Sequence, residues 1–234
     1  MKDKVCILTG ASGGIGAVIA EALFAHGLKL VLLGRNEEKL KVVAKDRDCL
    51  IIPGDICDNN YIEEVIAKTV AAYGVIDVVI NNAGLAHSTP FEKITAEQYD
   101  EIMNINVRAP FFMCQKALPH LVKSDFATII NIASVTAHKG YPLQSVYSAS
   151  KHALLGFTKA LGKEYYQKGV RTHVISPGGV FTDMIKISRP DLTSEGMILP
   201  EDVAETVLYL LKMRRTACVA DEIEFHREAK EPFM

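Results

Sequence analysis

The chain has 234 residues, 49% of them hydrophobic and 23% charged, with a formal net charge of −2. That length suits one domain spanning 1–234 with a sizeable core, and the near-neutral balance offers no field for nucleic acid or an anionic membrane. No apolar run reaches the roughly 18 residues that a spanning helix needs, and Cys6, Cys49, Cys57, Cys114 and Cys218 are odd in number and lack metal-ligand or redox spacing. They read as reduced, mostly buried small hydrophobes. Met1-Lys2-Asp3-Lys4 runs straight into the first apolar run, so no signal peptide is expected and the cytoplasm is the default compartment.

Apolar runs at 5–8, 28–33, 50–52, 76–80, 128–132, 172–175 and 218–225 predict strands. Helices are predicted between them at about 14–26, 37–46, 59–73, 96–123, 145–168 and 201–213. Such alternation argues for a doubly wound α/β fold, a seven-stranded parallel sheet with helices on both faces. Near-continuous Val/Ile/Leu is what strands buried on both sides require. Thr95 with Gln98 predicts a capping box at the start of the fourth helix. Pro110 and Pro119 predict bends within it. Asp58 is better placed than Asp55 to cap the third helix.

After the first strand comes Thr9-Gly10-Ala11-Ser12-Gly13-Gly14-Ile15-Gly16, leading into an amphipathic stretch. Between strand and helix, glycines let backbone N–H groups and a positive helix end approach a pyrophosphate. The plainer reading is a tight turn without a ligand. Further on, Tyr147 and Lys151 stand four residues apart in Tyr-Ser-Ala-Ser-Lys, which stacks a phenol and an ammonium on one helix face. A phenol is a poor proton donor at neutral pH, and a neighbouring cation favours its ionised form. Either residue alone is also ordinary on a solvated face.

With Asn81-Asn82-Ala83-Gly84, Asn104-Ile105-Asn106, the run 129–134 and Pro177-Gly178-Gly179-Val180-Phe181-Thr182, these motifs follow one another in a specific order. The chain resembles the short-chain dehydrogenase/reductase family over roughly residues 4–225. The resemblance implies a Rossmann domain and hydride transfer between a nicotinamide nucleotide and a carbonyl or secondary alcohol. Thr9, Gly10, Ser12, Gly14, Ile15 and Gly16 would hold the cofactor's phosphates. Asp55 and Ile56 would meet the adenine, and Asn82, Ala83 and Gly84 the adenosine ribose. Pro177, Gly178, Val180 and Thr182 would wrap the nicotinamide.

The tip of the second strand carries no carboxylate, and Arg35 comes next. An acidic residue there holds a ribose 2′-hydroxyl, whereas a guanidinium matches a 2′-phosphate. NADP(H) is therefore favoured over NAD(H), although Gly13 stands where many NADP-using relatives carry a second basic residue. The alternative is that Arg35 is a solvated residue of the next helix.

By resemblance the catalytic set is Asn106, Ser134, Tyr147 and Lys151. Tyr147 is the general acid, and Ser134 donates to the same carbonyl oxygen. Lys151 lowers the Tyr147 pKa and binds the nicotinamide ribose, while Asn106 holds a water linking Lys151 to solvent. His138 is a loop residue with no expected catalytic role. Substrate specificity is assigned to 135–144, to Gly179 with Met184, and to a short lid at about 185–199. Tyr141, Leu143, Met184 and Ile187 suggest a mostly apolar pocket; Lys186 or Arg189 would meet an anionic group unless, as is more usual for such residues, they are solvated. No metal is implied.

Relatives that reduce ketoacyl groups on a carrier protein usually end in a glycine-rich last strand. This chain ends Asp221-Glu222-Ile223-Glu224-Phe225-His226-Arg227, which favours a general carbonyl/alcohol oxidoreductase over that reading. A non-catalytic cofactor-sensing protein is the alternative from another class. The resemblance further implies a homodimer or homotetramer, with Phe111, Phe112, Met113, Leu154, Leu155 and Phe157 offering apolar surface unless they face the sheet.

Overall fold

In the computed structural model, described for residues 1–182 and 193–228, seven parallel strands form one sheet in the order 3-2-1-4-5-6-7. The strands are β1 Val5–Thr9, β2 Lys29–Gly34, β3 Leu50–Pro53, β4 Val78–Asn81, β5 Thr128–Ile132, β6 Arg171–Pro177 and β7 Glu222–Phe225. Helices α1 Gly14–Ala25, α2 Glu37–Ala44, α3 Asn59–Tyr73, α4 Ala96–Met103, α5 Ala109–Leu121, α6 Ser145–Tyr165 and α7 Pro200–Met213 cover its faces. Cys6, Leu8, Leu30, Leu32, Val78 and Ile80 pack in the core beneath α1 and α7. Their neighbours Ile7, Val31, Leu33 and Val79 pack in the other, beneath α3 and α5. Successive strand residues point to opposite faces, and both faces are covered, which is why alternation disappears from these runs.

Helix starts follow local chemistry. The Asn36 side chain accepts from the Lys39 N–H, Asp58 accepts from the Asn60 N–H, and Thr95 and Gln98 close a reciprocal capping box. The predicted helix at 96–123 is broken, but not as a simple bend at its prolines. Asn104–Arg108 forms a π-helical turn, with the Ala109 N–H reaching back to the Asn104 carbonyl. Pro110 has no N–H for the Asn106 carbonyl, so the α register is interrupted there and resumes in α5, which contains Pro119.

The last strand is shorter than the predicted 218–225. Carbonyls ahead of it are taken by side chains instead: Arg171 donates to those of Thr216 and Cys218, and the His173 ring contacts that of Ala220 at 2.7 Å. Only Cys6 and Cys114 are buried; Cys49 and Cys57 are half-buried and Cys218 is exposed. Among the described residues, no helix is long and apolar enough to cross a membrane and no cluster of His, Cys, Asp or Glu could hold a metal.

Candidate active site

All strands end on the same edge of the sheet, and the loops leaving β1, β4, β5 and β6 meet there. The Thr9 hydroxyl accepts from the N–H groups of Asn82 and Ala83, both at 2.9 Å. The Asn82 amide donates to the carbonyls of Thr9 and Gly10 at 3.1 and 3.2 Å. This stapling brings the loops so close that a Cβ on Gly10, whose φ is +66°, would lie 2.9 Å from the Ala83 Cα. At Gly16 a Cβ would stand 2.1 Å from the Gly10 carbonyl oxygen. These two glycines are demanded by packing.

Gly13 and Gly14 are different. A Cβ on Gly13 would meet nothing within 4 Å, and one on Gly14 only the Thr182 methyl at 3.8 Å. No side chain caps α1, and no acid stands in its first turn. Open space in front of uncapped backbone N–H groups fits a phosphate-bearing cofactor. At the tip of β2, a Cβ on Gly34 would touch the Ser12 hydroxyl at 3.1 Å, which sets Ser12 beside the start of the Arg35 segment. Arg35 is exposed, and among the described residues no carboxylate pairs with it. Asp55 is also exposed, and one carboxylate oxygen accepts from the Cys57 N–H at 2.9 Å. Ile15 and Ile56 are half-buried and rest on the two cores.

Across the edge, Val180 pairs with Ile198 and buries its side chain, and the Gly178 N–H donates to the Phe225 carbonyl. Pro177 closes β6. Of the predicted lid, Ile198 is anchored by the Phe181 N–H at 2.8 Å, while 183–192, with Met184, Lys186, Ile187 and Arg189, lies outside the described residues.

Ser134 follows β5 and is buried; its oxygen accepts from the Thr136 N–H at 3.2 Å at the start of a 3₁₀ turn, Val135–Ala137. Tyr147 and Lys151 occupy successive turns of α6, with the Lys151 Nζ 5.7 Å from the phenol ring centroid. Lys151 is buried and donates to the Ile132 carbonyl at 2.9 Å. A Cβ on Gly84 would lie 3.6 Å from its Nζ, so the Gly84 backbone passes beside Lys151.

The expected lowering of the Tyr147 pKa is not what the protein alone produces. Burial pushes the phenol above its ordinary range, and the relieving group is the Ser134 hydroxyl, not Lys151. Burial also pulls Lys151 down to about 8. A depressed lysine makes the folded protein the weaker proton binder between about 8 and the ordinary 10.5. The burial penalty is therefore full below about 8 and fades as pH rises toward 10.5. Lys151→Met is expected to exceed wild-type stability by on the order of a few kcal/mol at pH 7. Urea melts should show that gap narrowing above pH 8; a gap independent of pH would rule out burial of the charge as its origin.

The Asn106 side chain is fully engaged. Its Oδ1 accepts from the Leu85 N–H, and its Nδ2 donates to the Leu85 carbonyl, both at 2.8 Å, and to the Ser150 hydroxyl at 3.0 Å. Ser150 in turn donates to the Tyr147 carbonyl at 2.7 Å. Asn106 thus braces the loop after β4 against α6. Sequence reasoning missed Ser150, although it lies inside the Tyr-Ser-Ala-Ser-Lys motif. It also missed the loop after β4 as a wall of the site. Thr89, Ile94, Ile102, Leu143, Val146 and Tyr147 line a narrow cleft. The Thr89 N–H donates to the carbonyl of Leu143, itself in the left-handed region at φ 66°.

The family pattern described as short chain dehydrogenase matches residues 4–193. The chain belongs to the short-chain dehydrogenase family. Among relatives of this short-chain dehydrogenase is an uncharacterized oxidoreductase of Staphylococcus aureus (strain USA300), 35% identical over 214 residues, 90% of this chain and 92% of that one. Levodione reductase has a similar structure, with a TM-score of 0.88, 27% identity and 96% of each chain covered. A metagenomic short-chain oxidoreductase in complex with NADP gives a TM-score of 0.83 at 26% identity, over 97% of this chain and 98% of that one. As a short-chain dehydrogenase, this protein is an oxidoreductase of a family that binds NAD(P) and acts on small molecules.

Proposed function

We propose that the protein is an NADP(H)-dependent oxidoreductase that interconverts a carbonyl and a secondary alcohol. The observation that carries this reading is the meeting of Ser134, Tyr147 and Lys151 at the carboxyl edge of the sheet, beside an open glycine loop. The nicotinamide nucleotide, when bound there, supplies or accepts the hydride. Tyr147 gives its proton to the carbonyl oxygen, and the Ser134 hydroxyl donates to the same oxygen. Two preorganised donors lower the barrier as negative charge develops on that atom. Lys151 stands 5.7 Å from the phenol ring, and the N–H donors it does not give to the Ile132 carbonyl would meet the ribose. With the Asn106 side chain engaged, the water-holding role falls to its main-chain carbonyl, which Pro110 leaves without an α-helical donor. A screen of aldehydes and ketones, followed by loss of reduced-nicotinamide fluorescence, tests the reading; oxidation of NADPH by none of them would count against it.

Arg35, with Ser12 nearby, supports NADP(H) over NAD(H). Wild type is expected to bind NADPH at least about tenfold more tightly than NADH, about 1.4 kcal/mol. Arg35→Ala should remove that advantage and leave NADH within about twofold of wild type. Fluorescence titration suits the chain, which has no tryptophan. Equal affinities in wild type would make Arg35 a surface residue and redirect the screen to NAD-linked alcohol oxidation.

The charged last strand, with Glu222 and Glu224 engaged in ion pairs, supports a general carbonyl substrate over a carrier-protein thioester. The complete Ser134, Tyr147 and Lys151 set speaks against a non-catalytic sensor. We place the protein in the cytoplasm as a single 1–234 domain. Assembly as a homodimer or homotetramer would use the α5–α6 face. Met113, Leu154 and Leu155 are buried beneath that face, so Phe111 carries it, with half-buried Phe112 and Phe157 edge-on to its ring.

A further inference from the structure

Strand β7 lies at the edge of the sheet, and its acidic residues point back toward the site. The Glu222 Oε1 accepts from the His138 Nε2 at 2.5 Å and from the Ser176 hydroxyl at 3.3 Å. Its other carboxylate oxygen lies 3.3 Å from the Lys159 Nζ. One residue pair further along, Glu224 faces Lys139 at 3.6 Å. The three partners of Glu222 belong to three different segments. His138 ends the 3₁₀ turn that Ser134 begins. Lys159 lies two turns along α6 from Lys151. Ser176 immediately precedes Pro177 and Gly178 in β6.

We propose that Glu222 is a positioning residue that locks the Ser134 turn to α6 and to the end of β6. The turn Val135–Ala137 is a single 3₁₀ turn, closed locally by short-range bonds: Ala137 N–H to the Ser134 carbonyl, and His138 and Lys139 N–H to that of Val135. Such a turn has little stability of its own, so the placing of the Ser134 hydroxyl depends on what holds its far end. A surface ion pair contributes little by itself. This carboxylate is only 22% exposed and gathers donors from three segments that otherwise meet through the apolar packing of Ala137 against Leu154, Leu155 and Val174, so it adds the polar tie at the far end of the turn. Misplacing a hydrogen-bond donor by a fraction of an ångström costs rate more than substrate affinity.

The proposal rests on the reading of Ser134 as a donor to the substrate oxygen, so its test has an arm that needs no turnover. In Glu222→Gln, backbone hydrogen exchange over 135–139 should quicken by about tenfold while β1–β3 exchange as in wild type. With a carbonyl that wild type reduces, kcat should fall about tenfold and KM stay within about twofold. His138→Asn should reproduce both effects, and the double variant should add little to either single one. Unchanged exchange at 135–139 overturns the proposal whether or not a substrate is in hand. Faster exchange with an unchanged kcat overturns it as well, because the lock would then be structural only. Failure of wild type to oxidise NADPH with any carbonyl would instead count against the catalytic reading, and the exchange arm would still decide the lock.

Discussion

Tyr147→Phe is expected to cut hydride transfer by at least about 10²–10³-fold, the loss of one preorganised donor to a developing oxyanion, on the order of 3–4 kcal/mol. The ring stays, so its packing in the half-buried site is retained. NADPH affinity and the thermal midpoint should therefore remain near wild type. This separates a chemical role from a packing role, because a merely packed aromatic would leave turnover intact. The phenol is held above its ordinary pKa by burial, so it is protonated and able to donate across the neutral range. Rate measurements on NADPH oxidation, at saturating cofactor, check the prediction.

The second large effect sets two neighbouring glycines against each other. Gly16→Ala would drive a methyl to 2.1 Å from the Gly10 carbonyl oxygen and 2.6 Å from the Asn82 amide nitrogen. Backbone must move to admit it, and the loss of folding stability should be about 3 kcal/mol or more. Gly13→Ala meets nothing within 4 Å, and its φ of 172° is extended backbone open to any residue. Stability should stay within about 0.5 kcal/mol of wild type. NADPH binding should nevertheless weaken by about tenfold or more, because the methyl would occupy the space before the α1 N-terminus. Denaturant melts and cofactor titration of the two variants give opposite patterns if the glycine loop is the phosphate cradle. Equal NADPH affinity in Gly13→Ala and wild type would place the phosphates elsewhere.

The strands were legible because each is buried on both faces, as Ile7 and Leu8 show by packing in opposite cores. The caps at Asp58 and Thr95 were legible because they depend on side chains within three residues; the cap at Asn36, equally local, was missed. The break in the predicted 96–123 helix was read only as proline bending. What forms is a π turn at Asn104–Arg108, set jointly by the missing Pro110 N–H and the tertiary grip of Asn106 on Leu85 and Ser150. A local pattern cannot report that grip, since its partners lie 21 and 44 residues away.

The site residues came from ordered motifs, and the structure brings Ser134, Tyr147 and Lys151 to one edge. The electrostatic relation between them did not follow from the spacing. Two groups on one helix face can both be dominated by desolvation, as the raised Tyr147 and lowered Lys151 are. His138 looked like an ordinary loop histidine because its carboxylate partner, Glu222, is 84 residues away.

The most direct measurement follows deuterium from the reactive 4-position of labelled NADPH into the product of a carbonyl reduced by wild type and by Tyr147→Phe. One deuterium is expected on the carbinol carbon for each NADPH oxidised, with at least about a 10²-fold slower appearance in the variant. An unlabelled product, or equal rates in the two proteins, would contradict the proposed mechanism.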